Sequence, residues 1–278
     1  MRPRTPEGDE PGPSGASSGG DPGQTDPHAP HEQNRAPEQG REHEQVGAAD
    51  AIAGCVRGAA PVEIPGRLCE VAVELLPVVG ASVSLRSDGM PIQLSASSDQ
   101  AAHLSEVQAT LGEGPCTYAA ETGAPVLAAD LTDGRDALRW PVFAQQATAA
   151  GVQAVYSLPL SQDAVCVGTI DFYRRAPGGL TAEEVRTAQL VADVMTAALM
   201  ALPRGEENGY GGEEPWLSGL ATEHDEVHQA IGMIMAQLGV ASEEALARLR
   251  AHAFAHDRTA LEAARDVVAH RERFDRDW

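Results

Sequence analysis

Six arginines near the end of the chain could together bind the phosphates of a folded nucleic acid. The guanidinium group offers planar, paired donors that match phosphate oxygens and guanine edges, and Gln229 could read a base edge beside them. Each arginine could instead pair with a carboxylate on its own helix, and Gln229 could face solvent. The six arginines are Arg248, Arg250, Arg258, Arg265, Arg271 and Arg273.

The charge of the chain requires any such surface to be local. The sequence has 41 acidic residues and 20 basic ones, all of them arginine, for a net charge of -21. Residues 215–278 alone hold seven arginines and eleven acidic residues, a balance of -4. The charge therefore argues against a non-specific nucleic-acid binder, because phosphate contact requires a basic surface.

Cys116 is the second residue that could do chemistry, because it directly follows a Gly-Pro turn where a thiol could be accessible. A redox role would require a lowered thiol pKa and a resolving partner such as Cys69 or Cys166. The alternative is a buried structural cysteine. No two cysteines have C-x-x-C spacing, and no Ser/His/Asp or paired-carboxylate arrangement indicates a hydrolase.

The residues around Cys116 belong to a segment, 50–202, in which strands and helices alternate. Alternating apolar and polar residues on either side of Asp88-Gly89 predict a hairpin of residues 81–86 and 91–96. In residues 165–173 the same alternation places Thr169, Asp171 and Tyr173 on one face. Further strands are predicted at 125–129 and 154–159, and helices at 63–79, 99–110 and 181–202. The pattern is typical of an α+β domain with a mainly antiparallel sheet and flanking helices.

The two ends of the chain differ from this segment. Residues 1–49 are polar, rich in glycine and proline, and predict a disordered tail. Residues 203–215 predict a linker, and 216–278 a separate all-α domain with helices at 217–238, 242–256 and 259–273. No apolar run predicts a membrane span or a secretory signal, so we expect a cytoplasmic protein.

The first of these three helices carries an apolar seam spaced by three and four residues. Such a seam predicts either a coiled-coil dimer or the inner face of a monomeric bundle. His224 could fix the register or report pH, or simply lie at an exposed helix start, and Gly232 predicts a close helix crossing. The seam residues are Leu217, Leu220, His224, Val227, Ile231, Ile234 and Leu238.

The middle of the chain, about 60–200, resembles GAF domains. The blocks that carry the resemblance occur in the family's order: Leu111-Gly-Glu-Gly-Pro-Cys116, Asp130-Leu131, Trp140-Pro141-Val-Phe143, Gly151-Val-Gln-Ala154, Ser157-Leu-Pro-Leu160 and Val167-Gly-Thr-Ile-Asp-Phe172.

The GAF resemblance implies a small-molecule pocket between the sheet and two covering segments, 111–118 and 130–143. Aromatic candidates for its wall are Trp140, Phe143, Tyr156 and Phe172, with Cys116 in the loop; each could equally be core. The residues name no ligand or cofactor. Some GAF proteins reduce free methionine sulfoxide through cysteines, which leaves a thiol reductase as an alternative function.

Residues 216–274 resemble ANTAR domains. The resemblance rests on Val227-His-Gln-Ala-Ile-Gly-Met-Ile-Met235, Glu244-Ala-Leu-Ala-Arg-Leu-Arg250 and Ala264-Arg-Asp-Val-Val268. It implies a three-helix domain that binds paired RNA hairpins, prevents transcription termination and acts as a homodimer. Ile231 stands where many members have lysine, which removes one phosphate contact. The sequence thus predicts a signal-responsive RNA-binding regulator; a dimerising interaction module without RNA binding is the remaining alternative.

Overall fold

A five-stranded antiparallel sheet forms the centre of the first domain in a computed structural model of the chain. The structure describes residues 35–87, 90–162, 165–201 and 225–275. The strand order is β2-β1-β5-β4-β3, and every neighbouring pair is antiparallel. The strands are β1 (Gly80–Ser87), β2 (Met90–Ala96), β3 (Val126–Ala128), β4 (Ala154–Gln162) and β5 (Val165–Arg174).

Seven helices surround the sheet in the described part of this domain. They are α1 (Arg35–Val56), α2 (Ile64–Leu75), α3 (Asp99–Leu111), α4 (Pro115–Thr122), α5 (Gly134–Arg139), α6 (Pro141–Ala149) and α7 (Ala182–Met200), with a single 3₁₀ turn at Pro61–Glu63. Three short ones, α4, α5 and α6, were not predicted. Two of them, α4 and α6, begin at a proline. A proline usually indicates a loop in sequence analysis, but it is also favoured at the first position of a helix.

The two faces of the sheet carry separate apolar cores. One core lies between the sheet and α1, α2 and α7, where Leu68 and Met195 pack with Ile170 and Phe172 of β5. The other joins α3, α4 and α6 to the opposite face, where Leu104 and Phe143 pack with Tyr173. Because successive residues of a strand alternate between faces, β5 contributes to both cores. We call this part of the chain, residues 46–201 as described, the α+β domain.

The last three helices form a small bundle that we call the helical domain (225–275 as described). Its helices are α8 (Asp225–Leu238), α9 (Ser242–Ala255) and α10 (Ala260–Val268). Thr259 caps α10 in a capping box with Glu262. Alanines are frequent in its buried core, among them Ala230, Ala253 and Ala264. Past α10 the chain folds back, so that Phe274 is buried and its N–H donates to Gln237 Oε1 at 2.9 Å.

The predicted α+β class followed by a three-helix domain is confirmed. The predicted disordered tail, 1–49, is wrong at its end, because α1 begins at Arg35 and Ala48 on it is buried. The first turns of α1 are polar, which is why the sequence predicted disorder there. The rest of the tail, the linker 203–215 and the Asp88-Gly89 turn lie outside the described residues. Residues 41–278 group as one compact unit, in which the helical domain contacts the α+β domain; of the other unit, 1–40, only the first residues of α1 are described.

Candidate functional site

The loop before Cys116 folds tightly onto the side chain of Gln108. Gly112 ends α3 in the left-handed region, and Gly114 has a φ of 142°. A Cβ on Gly114 would lie 2.5 Å from Gln108 Oε1, so only glycine fits there. The same Oε1 accepts the Cys116 backbone N–H at 2.9 Å. The glycine-rich motif therefore joins the end of α3 to the start of α4.

Cys116 lies in a group of buried polar side chains against the sheet. Its Sγ is 3.1 Å from Thr169 Oγ1, and Gln108 Nε2 donates to Asp171 Oδ2 at 3.0 Å. The Tyr173 hydroxyl is 3.4 Å from the same carboxylate oxygen. We call these five residues the buried polar cluster: Gln108, Cys116, Thr169, Asp171 and Tyr173. Strand alternation correctly placed three of them on one face of β5.

Burial controls the titration of this cluster. Asp171 is 1% exposed, and burial raises the pKa of its carboxyl from the ordinary 3.8 to about 6. Hydrogen bonds from Ser157, Gln108 and Tyr173 lower the pKa, but burial has the larger effect. Among the described residues, Asp171 Oδ1 has no hydrogen-bond partner of good geometry. Burial, and then the charge of Asp171, raise the pKa of the Cys116 thiol well above its usual value. Cys116 is therefore a thiol rather than a reactive thiolate at neutral pH.

A narrow cleft of about 70 Å³ opens beside the cluster. It runs between β1, β5 and α4, and Ser84, Thr117 and Thr169 supply hydroxyl groups to it, with Arg86 and Glu121 among its other lining residues. The buried Thr117 Oγ1 has no hydrogen-bond partner among the described residues. The volume holds only a few water molecules, so this conformation admits at most a very small polar ligand.

The four predicted aromatic residues do not form one wall. Trp140 and Phe143 belong to the core on the α3, α4 and α6 side, which is the face of the buried polar cluster. Tyr156 and Phe172 belong to the core on the opposite face of the sheet. This grouping was wrong, because successive residues of a strand point to opposite faces of the sheet. Tyr156 and Phe172 are each adjacent in sequence to a residue on the cluster side, and they therefore lie on the other face. The missed site residues are Gln108 and Asp171; the signal for Asp171 was a charged residue on a buried strand.

Most of the six predicted arginines pair with groups of the protein itself. Arg248 contacts Glu244 at 2.7 Å, and Arg265 contacts Glu226 at 2.8 Å. Arg271 hydrogen-bonds Asp266. These are contacts within the helical domain, and the side chains of Arg265 and Arg271 are still 41% and 63% exposed.

Two arginines are held more firmly. Arg258 contacts Asp266 at 2.5 Å and Glu272 at 3.4 Å and donates to the Glu262 carbonyl, which ties the α9–α10 turn to the end of the domain. Arg250 faces the α+β domain: its Nε donates to the Ala109 carbonyl at 2.9 Å. Arg273 and Gln229 are exposed. The expected continuous arginine surface is therefore divided in this conformation.

The apolar seam of α8 lies mainly inside the helical domain. Val227, Ile234 and Leu238 are buried in its core, and Ile231 packs against it. The described part of the seam thus lies on the inner face of this three-helix bundle. Gly232 is exposed, and no atom of the described residues lies within 4 Å of an added Cβ, so the predicted close helix crossing is wrong within the described part of the chain. Leu217, Leu220 and His224 lie outside the described residues.

Comparison with known families matches both domains. The GAF domain model matches residues 60–200, about half of the chain, and the ANTAR domain model matches 218–268. A comparison with curated proteins finds no match. In the described residues, none of the helices has the length and apolar composition that a membrane crossing requires.

Several solved structures are similar to the chain at low identity. The GAF domain of a phosphoenolpyruvate-protein phosphotransferase from Coxiella burnetii is 15% identical, with a TM-score of 0.46 over 57% of this chain and 94% of that one. A type II free methionine-R-sulfoxide reductase from Thermoplasma acidophilum is 16% identical, with a TM-score of 0.40 over 50% and 90%. The chromophore-binding domain of a Stigmatella aurantiaca bacteriophytochrome is 14% identical, with a TM-score of 0.40 over 62% and 63%.

Proposed function

Because the chain belongs to the GAF domain family and also contains an ANTAR domain, we propose that it is a signal-responsive RNA-binding regulator of transcription termination. The α+β domain acts as the small-molecule sensor, and the helical domain binds paired RNA hairpins. The observation that carries the proposal is the ANTAR match over 218–268, which covers α8, α9 and α10.

The paired arginines are compatible with this proposal. An exposed ion pair contributes only about 0–1 kcal/mol, so RNA phosphates can replace the carboxylate partners of Arg248, Arg265 and Arg271 at little cost. Arg273 is already exposed. We assign the RNA contacts to these four arginines and Gln229, and Arg250 joins them only when it is free of the α+β domain. The contacts of Arg258 favour a structural role.

The sensor site is proposed to lie around the buried polar cluster. Its Asp171 is a buried carboxyl among polar groups, and Thr169 belongs both to the cluster and to the lining of the 70 Å³ cleft. Trp140 and Phe143 lie on the same side of the sheet and could line a larger opened pocket. A ligand there would act by binding one arrangement of the protein better than another.

The two alternative functions receive less support. A thiol reductase needs an accessible thiolate, and Cys116 is 1% exposed with a raised pKa. A module that only dimerises through α8 would need the seam that the bundle buries. A homodimer stays a prediction from the family resemblance alone.

Titration of the full chain with paired terminator-like RNA hairpins, across a range of salt concentrations, tests the proposal. We expect binding that weakens as salt rises, because phosphate contacts release counterions. The double variant Arg271→Gln/Arg273→Gln should lower the slope of log affinity against log salt by about one for each phosphate that it no longer neutralises. Arg186→Gln, an exposed arginine on α7, is the matched control. No binding, or binding insensitive to salt, contradicts the proposal.

A further inference from the structure

Two hydrogen bonds join the end of α3 to the helical domain: Arg250 of α9 donates to the last turn of α3, and Thr110 of α3 accepts from the first residue of α10. We propose that this reciprocal contact, which we call the capping clasp (Ala109, Thr110, Arg250 and Ala260), is autoinhibitory. It keeps the helical domain docked on the α+β domain and withholds Arg250 from RNA until a signal opens it. The inhibitory part rests on the proposed function, whereas the docking part stands on the structure alone.

The first half of the clasp satisfies the carboxyl end of α3. The last carbonyls of a helix have no partner within it, and this end of the helix dipole is negative. Arg250 from α9 donates its Nε to the Ala109 carbonyl at 2.9 Å, which brings a positive charge to that end. Gly112 leaves room for the guanidinium, because a Cβ there would lie 2.7 Å from Arg250 Nη1. The contact is therefore both a cap and a close fit.

The second half satisfies the amino end of α10. The backbone N–H of Ala260, the first residue of that helix, donates to Thr110 Oγ1 at 2.8 Å. Both residues are buried, at 1% and 5% exposure. Ala109 between the two contacts belongs to the same apolar cluster as Leu249 and Leu261. One turn of α3 thus supplies a carbonyl, a methyl group and a hydroxyl to the helical domain.

Two features of the capping clasp indicate that it can open. Arg250 Nη2 is buried without a hydrogen-bond partner among the described residues, which makes the docked state costly for this charge. A cleft of about 210 Å³ lies beside the clasp, lined in part by Val107, Thr110 and Thr259. Phe254 at its edge is 54% exposed. The docked surfaces are incompletely packed, so a modest change in free energy can separate them.

The clasp begins one residue after the buried polar cluster. Gln108, whose amide contacts both Asp171 and the Cys116 backbone, directly precedes Ala109. A ligand that pulls the Gln108 amide from Asp171 also displaces the α3 turn that holds Arg250 and Ala260. Gln108 is thus a positioning residue through which the sensor site acts on docking.

Hydrogen exchange in the full chain tests docking without RNA. Thr110→Val keeps the shape of the side chain but removes the acceptor of the Ala260 N–H, so exchange in residues 255–264 should rise on the order of tenfold. Thr110→Ser should restore protection. Thr122→Val, which removes an exposed hydroxyl bonded to the Tyr118 carbonyl on α4, is the matched control. Arg250→Gln tests the other half if Thr110→Val unfolds, and unchanged exchange in both variants overturns the clasp.

RNA binding by the same variants tests inhibition. Thr110→Val leaves every proposed RNA contact intact and should bind hairpin RNA more tightly than the wild type, again on the order of tenfold. Raised exchange with unchanged RNA affinity overturns the inhibitory role. Raised exchange with no RNA binding in either protein refutes the proposed function and leaves the docking clasp standing.

The link to the sensor site has its own variant. Asp171→Ala removes the acceptor of Gln108 Nε2 and leaves all four clasp residues unchanged, so exchange in 255–264 is expected to differ from the wild type. Unchanged exchange in that segment, together with altered exchange around β5, would overturn the role of Gln108.

Discussion

The buried carboxyl of Asp171 should make the α+β domain less stable as the pH rises toward neutrality. Burial raises the pKa of this group to about 6, so between about pH 4 and pH 6 the folded protein holds a proton that the unfolded chain has lost. Stability from this source is therefore fully present below the unfolded pKa and is lost as pH rises through 6. Asp171→Asn removes the titration and retains an oxygen that accepts from Gln108.

The magnitude follows from the size of the shift. A rise from 3.8 to about 6 corresponds to about 3 kcal/mol of folding free energy at neutral pH. Roughly 1 kcal/mol of this is lost between pH 5 and pH 7. We therefore expect the stability of Asp171→Asn, relative to the wild type, to increase by that amount over this interval.

Urea unfolding followed by fluorescence measures this difference. Trp140 is 5% exposed and reports on the α+β domain, and a Trp216→Phe/Trp278→Phe background isolates its signal. Other carboxyl groups titrate in both proteins and cancel in the difference. Asp130→Asn is the matched control, because hydrogen bonds from Thr132 lower the pKa of that carboxyl. The group is therefore ionised in both the folded and the unfolded chain from pH 5 to 7, and its difference curve should be flat. Parallel curves for wild type and Asp171→Asn from pH 5 to 7 would refute the assignment of a raised pKa.

Three further predictions concern single positions. Gly168→Ala should lower the free energy of unfolding, measured in urea, by about 3 kcal/mol, because the new Cβ would lie 2.2 Å from the Ser84 carbonyl oxygen in the neighbouring strand. A loss of less than about 0.5 kcal/mol, as for a typical surface substitution, would contradict the close approach of β1 and β5. Gly232→Ala should stabilise the helical domain by about 1 kcal/mol, because the position is helical and open; a loss of stability would indicate an occupied neighbour. A thiol reagent at pH 8 should modify the half-buried Cys55 and Cys166 before Cys116, and a first reaction at Cys116, identified by peptide mass, would contradict its burial.

The sequence predicted the fold well because periodicity reports which side of an element is buried. The alternation in β5 correctly placed Thr169, Asp171 and Tyr173 on one face. It did not reveal which helix covers that face, so Gln108 was missed: a polar residue near the end of a helix usually faces solvent, and only tertiary packing buries it. For the same reason Tyr156 and Phe172 were grouped with Trp140, because aromatic character does not indicate the face of a sheet.

The partners of the arginines could not be predicted for a different reason. Spacing along a helix shows which side chains share a face, but it does not show which carboxylates approach from other helices. Arg265 forms an ion pair with Glu226 on α8, and Arg258 forms one with Glu272 beyond the end of α10. Arg250 donates to the Ala109 carbonyl of the α+β domain, and no sequence pattern predicts such a partner.

The alanine-rich core of the helical domain has a consequence for how the domain folds. Small side chains bring helices close together but remove little apolar surface from water per residue. Ala109 of the α+β domain belongs to the apolar cluster of the bundle, so some of its hydrophobic burial comes from a neighbour. The helical domain is therefore stabilised in part by the domain it docks on, and separating the two would expose the apolar neighbours of Ala109 to water.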